Sequence, residues 1–301
     1  MTASPSRRAT VPAPPRTRFR LGRVLLSALT VIIALAWIFP VYWMLNSSLL
    51  PNAVLESAIP SFLPFGGSLD NYAAVLADGK FLGALRMSLT ITLLAVAVCI
   101  LFAFLGALAI SRFKFRGRTS FVLALLFIQM LPAEGLFIAQ YKLMSTLGEA
   151  TGGVIGLNTV IGISLLYMAA VIPFTIWMLR GFVAGIPADL EEAAMVDGCT
   201  RTQAFFRVTF PLLAPGLVAS GVYAFLQCWN EFTIALVILQ KEDAMTLPLW
   251  LRTFILQSAN RATDWGQVMA SSTLVAIPVI VFFLLVQGRL TSGLVAGAVK
   301  G

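Results

Sequence analysis

Residues 181–211 form the most polar stretch of the sequence, and their spacing is typical of capped helix ends. The stretch holds four acidic residues and two arginines, and no apolar run in it could cross a bilayer. Asp189, followed by Glu192 three residues later, fits a capping box, and Glu191 stands near the positive end of the same helix. Gly198 can end that helix in a left-handed turn, since glycine has no Cβ. We therefore predict a short acidic helix that ends in a sharp turn.

A second short helix is predicted to follow. Thr200 and Gln203 repeat the capping pattern, and Pro211 should end the helix. Ala193 and Ala194 give the first helix a small apolar surface that would fit a groove on another protein. An amphipathic loop resting on lipid headgroups is the alternative that spacing leaves open. A DNA-binding helix-turn-helix is disfavoured, because the first helix is acidic and long apolar segments flank the pair.

Few other residues suggest chemistry. The chain has no histidine and its acids are scattered, so we expect neither a metal cluster nor a histidine-dependent catalytic centre. Its cysteines, Cys99, Cys199 and Cys228, are far apart and without a CxxC pair, which favours small buried side chains. The sequence also lacks a phosphate-binding P-loop. We predict a non-catalytic chain without a cofactor of its own, so any ATP chemistry must come from a partner.

The composition predicts an all-α polytopic membrane protein. Apolar residues make up 59% of the 301 residues and mean hydropathy is +0.90, whereas about 45–50% apolar is usual for a soluble domain. A crossing needs about 20 mostly apolar residues, so there is room for roughly six. The predicted crossings are residues 24–49, 81–110, 120–144, 158–179, 212–239 and 266–286.

The positions of the charges predict the orientation. With these six crossings, fifteen of the 21 Lys and Arg residues fall on one side, and that side is cytoplasmic by the positive-inside rule. Both termini and the 181–211 loop would then be cytoplasmic. The net charge of +8 follows the membrane and gives no reason to expect nucleic acid. The predicted domains are a disordered basic tail at 1–23, a six-helix membrane domain at 24–287 and a cytoplasmic tail at 288–301.

Some polar and aromatic residues interrupt the apolar segments. Glu231 is interpreted as a satisfied structural acid, with a functional role as the alternative, since acids in membrane helices are costly. Trp229 or Tyr223 could line a solute path, although such aromatics more often belong to the core or the interface belt. Pro173 should kink the fourth segment, and Pro132 is tolerable near the outer end of the third or where that helix faces protein or water.

One resemblance decides between these alternatives. The run Glu191–Gly198, with Phe205–Pro211 and Pro215 after it, resembles the EAA loop of binding-protein-dependent ABC importers. From about residue 35 onward the chain is similar to the MalG-type permease subunits of the carbohydrate-uptake family. Further matching motifs are Asp70–Tyr72, Gly156–Thr159, Pro173–Trp177, Trp229–Phe232, Thr246–Pro248, Asp264–Gly266 and Gly293–Gly301.

The resemblance implies a type I ABC importer permease in the bacterial cytoplasmic membrane, surrounded by lipid. Expected partners are a second, related permease subunit, two ATP-binding subunits that hold ATP and Mg, and an external solute-binding protein. The solute would be a di- or oligosaccharide or a polyol phosphate, moved inward by ATP. The alternative is an ion-driven secondary transporter, which should show paired broken helices with midplane acids in corresponding halves. No such repeat is evident.

The same resemblance assigns ATPase coupling to one set of residues in the 181–211 loop. The first EAA helix would be a coupling helix seated in a cleft of the ATPase. Glu191 would make a charge contact with a basic group there, with a purely capping role as the alternative. The short tail Gly297–Gly301 would insert between the ATPase subunits. No solute-binding residues are assigned. The coupling residues are Glu191, Glu192, Ala193, Ala194, Asp197 and Gly198.

Overall fold

The computed structural model describes residues 21–259 and 263–298, and these are helical with connecting turns and no strand. Helices in chain order are α1 Leu21–Leu49, α2 Asn52–Leu55, α3 Asp70–Ala77, α4 Phe81–Arg112, α5 Arg118–Gln129, a 3-10 turn at Ala133–Leu136, α6 Phe137–Ala150, α7 Val160–Ala184, α8 Asp189–Val196, α9 Arg201–Ala204, a π turn at Phe205–Thr209, α10 Phe210–Trp229, α11 Thr233–Ile238, α12 Leu247–Ala259 and α13 Trp265–Ala298. The all-α prediction is confirmed.

Five of the described helices are long and apolar enough to cross a membrane. They are Val24–Leu49, Phe81–Arg112, Val160–Ala184, Arg201–Trp229 and Trp265–Gly288. These helices match five of the six predicted crossings. The chain divides after Met44 into two compact units. In the first unit, α1 exposes apolar side chains along most of its length, among them Trp37 at 81%, which suits a helix surrounded by lipid or by another protein.

The core of the second unit is the packing of α4 against α7. Buried positions on α4 recur every three or four residues, and many of them are small: Ala84, Ser88, Ala95, Cys99, Ala103 and Ala107. Small side chains let two membrane helices approach closely. Cys99 and Cys228 are buried in this core, as predicted, whereas Cys199 is half-buried. This close packing fixes the axial position of α4 relative to α7.

The third predicted crossing is wrong as a single helix. Residues 120–144 are divided between α5 and α6, with a short 3-10 turn between them. Pro132 lies at the break in an extended conformation, with ψ at 121°. Proline has no N–H to donate and disfavours helical geometry in the residue before it, so the helix stops before it. At the end of α5, the side-chain amide of Gln129 donates through Nε2 to the carbonyl of Ala170 on α7 at 2.9 Å.

The fifth predicted crossing also differs, at both ends. Pro211 does not end the second loop helix, because α9, the π turn and α10 form one continuous run from Arg201 to Trp229. The Phe210 N–H donates to the carbonyl of Phe205 five residues earlier, and the wider π turn just before Pro211 accommodates the missing N–H. The run ends at Trp229 rather than at 239, and the short helix α11 follows.

Helices α1 and α13 extend into the two segments that were predicted to be tails. α13 continues to Ala298, so the described part of the predicted 288–301 tail is helical. Residues 1–20 of the predicted basic tail and residues 299–301 lie outside the described residues. Residues 21–23 of that predicted tail are helical and belong to α1.

Candidate functional site

The acidic helix of the 181–211 loop is α8. Its N-cap residue is Ala188, so the predicted capping box of Asp189 and Glu192 is wrong. The backbone carbonyls of Pro187 and Ala188 accept the first N–H groups instead: Glu191 donates to Ala188 at 2.9 Å. Asp189, Glu191 and Glu192 all lie in the first turn, where the helix dipole favours negative charge, as predicted.

The end of α8 is the predicted left-handed turn at Gly198. Gly198 has φ +90°, its N–H donates to the Met195 carbonyl, and the N–H of Cys199 donates to the Ala194 carbonyl at 3.0 Å. This pair of hydrogen bonds is a Schellman motif, with Asp197 as the C-cap residue. A Cβ added at Gly198 would meet no atom within 4 Å. The constraint on this position is therefore backbone conformation, not space.

The start of the following helix is the predicted capping box. The Thr200 hydroxyl accepts from the N–H of Gln203 at 3.3 Å, and the Gln203 side chain accepts from the N–H of Thr200 at 2.9 Å. Two N–H groups that a helix leaves unpaired are satisfied reciprocally. The turn between α8 and α9 is thus held at both sides by local hydrogen bonds.

One face of α8 remains open in the described chain. Val196 is 87% exposed, Leu190 and Met195 are also exposed, Ala193 is exposed and Ala194 is half-buried. Beside the helix lies a groove of about 520 Å³ that is lined by both apolar and charged side chains. Its lining includes Leu108, Arg112, Phe113, Glu191, Glu192, Met195, Arg201 and Phe205. Exposed apolar side chains next to charged ones are typical of a surface that receives another protein.

Glu191 contacts this chain's own residues. Its Oε1 lies 3.1 Å from Nη2 of Arg112, the last residue of α4, and accepts a 2.5 Å hydrogen bond from the hydroxyl of Thr209. The Arg112 and Glu191 side chains are 22% and 16% exposed, and Thr209 is buried. Nε and Nη2 of Arg112 make no hydrogen bond among the described residues, so the contact is an ion pair by distance rather than an aligned hydrogen bond. The predicted contact of Glu191 with an ATPase stays a prediction.

Sequence reasoning missed Arg112 and Thr209 as partners of Glu191. The basic cluster that contains Arg112 indicates the orientation of the chain but no partner for Glu191, and Thr209 falls in an otherwise apolar run. Their positions in the sequence do not indicate which of the loop cations faces the acidic helix. Only the packing of α4, α8 and α10 does so.

The Glu231 carboxylate is bound by backbone N–H groups at the start of α11. It accepts from the N–H groups of Ile234 at 2.6 Å and Ala235 at 3.1 Å, and the Glu231 carbonyl accepts from the Tyr167 hydroxyl. These bonds support the structural interpretation of this acid. Trp229 is 2% exposed and stacks on Phe225, so its ring belongs to the core.

Within residues 21–259 and 263–298, no group of three or more His, Cys, Asp or Glu side chains could hold a metal ion.

Comparisons with known proteins agree with one another. Residues 72–294 match the family described as "Binding-protein-dependent transport system inner membrane component". The diacetylchitobiose uptake system permease protein DasC of Streptomyces coelicolor is 38% identical over 284 residues, covering 94% of this chain and 99% of its own length. The trehalose/maltose transport system permease protein MalG of Thermococcus litoralis is 32% identical, over 93% of this chain and 98% of its own.

A solved structure shares the fold. The crystal structure of a bacterial ABC transporter involved in the import of the acidic polysaccharide alginate contains a chain that superposes with a TM-score of 0.72 at 26% identity. The match covers 92% of this chain and 99% of that one. These similarities favour an ATP-driven importer and give no support to the ion-driven alternative. The chain is a multi-pass membrane protein that belongs to the family of inner membrane components of binding-protein-dependent transport systems.

Proposed function

We propose that the chain is one of two permease subunits of an ATP-driven sugar importer, and that α8 is its coupling helix. The observation that carries the proposal is the open apolar face of α8, fixed by a Schellman turn and projecting from the polar loop of a family permease. The chain itself is non-catalytic. ATP and Mg are bound by two ATPase subunits, and an external solute-binding protein delivers the solute.

The proposed topology is six crossings with both termini in the cytoplasm. The divided segment α5–α6 supplies the crossing that is not one long helix, and the basic loop after α4 lies on the same side as α8. In that orientation α8 faces the ATPase subunits. Closure of the ATPase pair would move α8 and, with it, the long helices, so that the pore alternates between inward-open and outward-open states.

The residues of α8 and of the turn after it divide into two roles in coupling. The exposed Glu192, Ala193 and neighbouring apolar side chains would contact the ATPase, while Asp197 and Gly198 hold the turn that presents them. Glu191, turned toward Arg112, supports the helix from behind. The exposed side of α8 would thus bind the ATPase, and the side that carries Glu191 would attach the helix to α4.

The proposed solute is a disaccharide. DasC is named for diacetylchitobiose uptake, and MalG for trehalose and maltose transport. Diacetylchitobiose is therefore the first probe, with trehalose and maltose beside it.

Reconstitution of the purified transport complex tests the proposal. We expect two ATPase subunits to copurify with this chain, and proteoliposomes to accumulate a radiolabelled probe sugar only when ATP and binding protein are both supplied, without any ion gradient. Accumulation driven by a proton or sodium gradient in the absence of ATP would contradict it. If the ATPase subunits copurify and the complex hydrolyses ATP but imports none of the three sugars, only the proposed class of solute is overturned.

A further inference from the structure

We propose that Arg112 is a positioning residue that links the coupling helix to α4, so that motion of α8 reaches the membrane-spanning helices through the Arg112–Glu191–Thr209 contact. The inference rests on the proposed function, since it concerns how the coupling helix acts. It adds a residue from outside the EAA loop to the coupling machinery.

Three separate elements meet at one carboxylate. Arg112 ends α4, Glu191 lies in the first turn of α8, and Thr209 is the last residue of the π turn that precedes α10. Glu191 Oε1 contacts both partners, at 3.1 Å and 2.5 Å. Side chains that are largely shielded from water keep more of their mutual attraction than surface pairs do. The carboxylate therefore ties the coupling helix to two of the long helices at once.

The Thr209 hydroxyl donates to Glu191 and not to a carbonyl of its own helix. Threonine in a helix commonly donates to the carbonyl four residues earlier, as Thr90, Thr175, Thr253 and Thr273 do in this chain. Thr209 donates to Glu191 on another helix. A buried hydroxyl that makes a contact between helices, at the end of a π turn, indicates a built attachment point.

The π turn is the part of this joint that can change shape. It lacks regular i→i−4 bonding, and Pro211 just beyond it has no N–H, so the helix bends here at lower cost than elsewhere. Phe104 of α4 packs against Phe205, the first residue of the turn, and Phe210, the residue after it, with ring centroids 6.3 Å and 5.9 Å away. Helix α4 thus holds α8 by charge and the π turn by packing.

Removing each charge of the Arg112–Glu191 pair, and then exchanging the two charges, tests the link in the assembled complex. The variants are Arg112→Gln, Glu191→Gln and the swap Arg112→Glu with Glu191→Arg, in proteoliposomes given ATP, binding protein and radiolabelled diacetylchitobiose. For each single variant we expect normal copurification of the ATPase, sustained ATP hydrolysis and at least fivefold less sugar imported per ATP hydrolysed. The swap should recover a substantial part of that ratio, because it restores opposite charges. Loss of packing alone would not be rescued in this way.

The matched control is Arg116→Gln. Arg116 is an exposed cation of the same basic loop, so its removal changes the charge of the loop without touching the joint. Its import per ATP should equal that of the wild type. Thr209→Ser against Thr209→Val is a second control pair, because serine keeps the hydroxyl and valine removes it.

The outcomes separate this inference from the proposed function. An unchanged ratio in Arg112→Gln, or a swap with no recovery, would overturn the inference while leaving the importer intact. Loss of ATPase copurification in Arg112→Gln would also overturn it, since Arg112 would then act in assembly. If the wild-type complex itself imports no sugar with ATP, the failure belongs to the proposed function.

Discussion

Two ion pairs lie at opposite ends of α4, and they differ in distance, in exposure to solvent and in the further contacts that they make. Lys80 and Glu242 approach to 2.6 Å, yet their side chains are 45% and 75% exposed. Arg112 and Glu191 are farther apart, at 3.1 Å, but are only 22% and 16% exposed, and Thr209 joins them. Exposed pairs contribute little because water screens them and side-chain entropy opposes them. Removal of one partner from a shielded pair leaves a charge that water cannot easily solvate.

The comparison therefore shows that burial and shared contacts, not distance, indicate which pair matters. The pair at the Lys80 end joins the start of α4 to the loop before α12. The pair at the Arg112 end joins α4 to α8, and the hydrogen bond from Thr209 to Glu191 adds the π turn, next to the proposed ATPase surface.

Glu191→Ala should have the largest effect on stability. It removes a charge-assisted hydrogen bond and leaves Arg112 shielded without its acid, so the loss in unfolding free energy should be about 1–3 kcal/mol. Thermal melting of the purified complex, followed by tryptophan fluorescence, measures it. Glu149→Ala, which removes an exposed acid of α6 outside the proposed ATPase surface, is the control and should melt as the wild type does. Equal melting of the two variants would remove the distinction between shielded and exposed acids.

Gly198→Val should come next. The position has φ +90° and open space around its Cβ, so the cost is the backbone conformation, about 1–2 kcal/mol for a residue with a Cβ. Because the turn presents α8, we expect a several-fold loss of uptake as well. Gly198→Asn should lose less, since asparagine tolerates left-handed geometry better. Gly198→Asp adds a charge beside the proposed ATPase surface and should abolish transport while the protein stays in the membrane. Normal uptake by the valine variant would show that the turn is dispensable.

The Lys80–Glu242 pair should matter least. Hydrogen bonding and attraction to Lys80 lower the pKa of Glu242 below 4.5, and the same contact raises the pKa of Lys80 above 10.5. The contribution of the Glu242 charge is thus present at neutral pH and is lost as pH falls through the lowered pKa. Glu242→Gln should leave uptake and melting at pH 7 unchanged. A clear drop in either would mean that this exposed pair has a role of its own.

Much of the fold follows from local sequence. Long apolar runs have few ways to satisfy their backbone in lipid other than as helices, so five crossings were predictable from composition and run length. The break at Pro132 and the π turn before Pro211 were not, because a proline can end a helix, kink it or be accommodated in it. Which of these happens depends on what the neighbouring helices can accept.

The candidate site divides in the same way. The Schellman turn at Gly198 and the capping box of Thr200 and Gln203 were predicted, since both are made by residues a few positions apart. The expected cap at Asp189 failed because backbone carbonyls took the N–H groups that its side chain would have bound. The contact of Glu191 with an ATPase stays a prediction, and its contacts with Arg112 and Thr209 were not predicted from the sequence.

Local patterns in the sequence are enough to predict a helical membrane protein with an acidic, glycine-terminated helix in a polar loop, because apolar run length and capping are properties of neighbouring residues. The contact of Glu191 with Arg112 and Thr209 comes instead from tertiary packing. It depends on the axial position and rotation of α4 relative to α8 and α10, which small buried side chains on α4 set through its packing against α7. No local sequence pattern encodes that axial position.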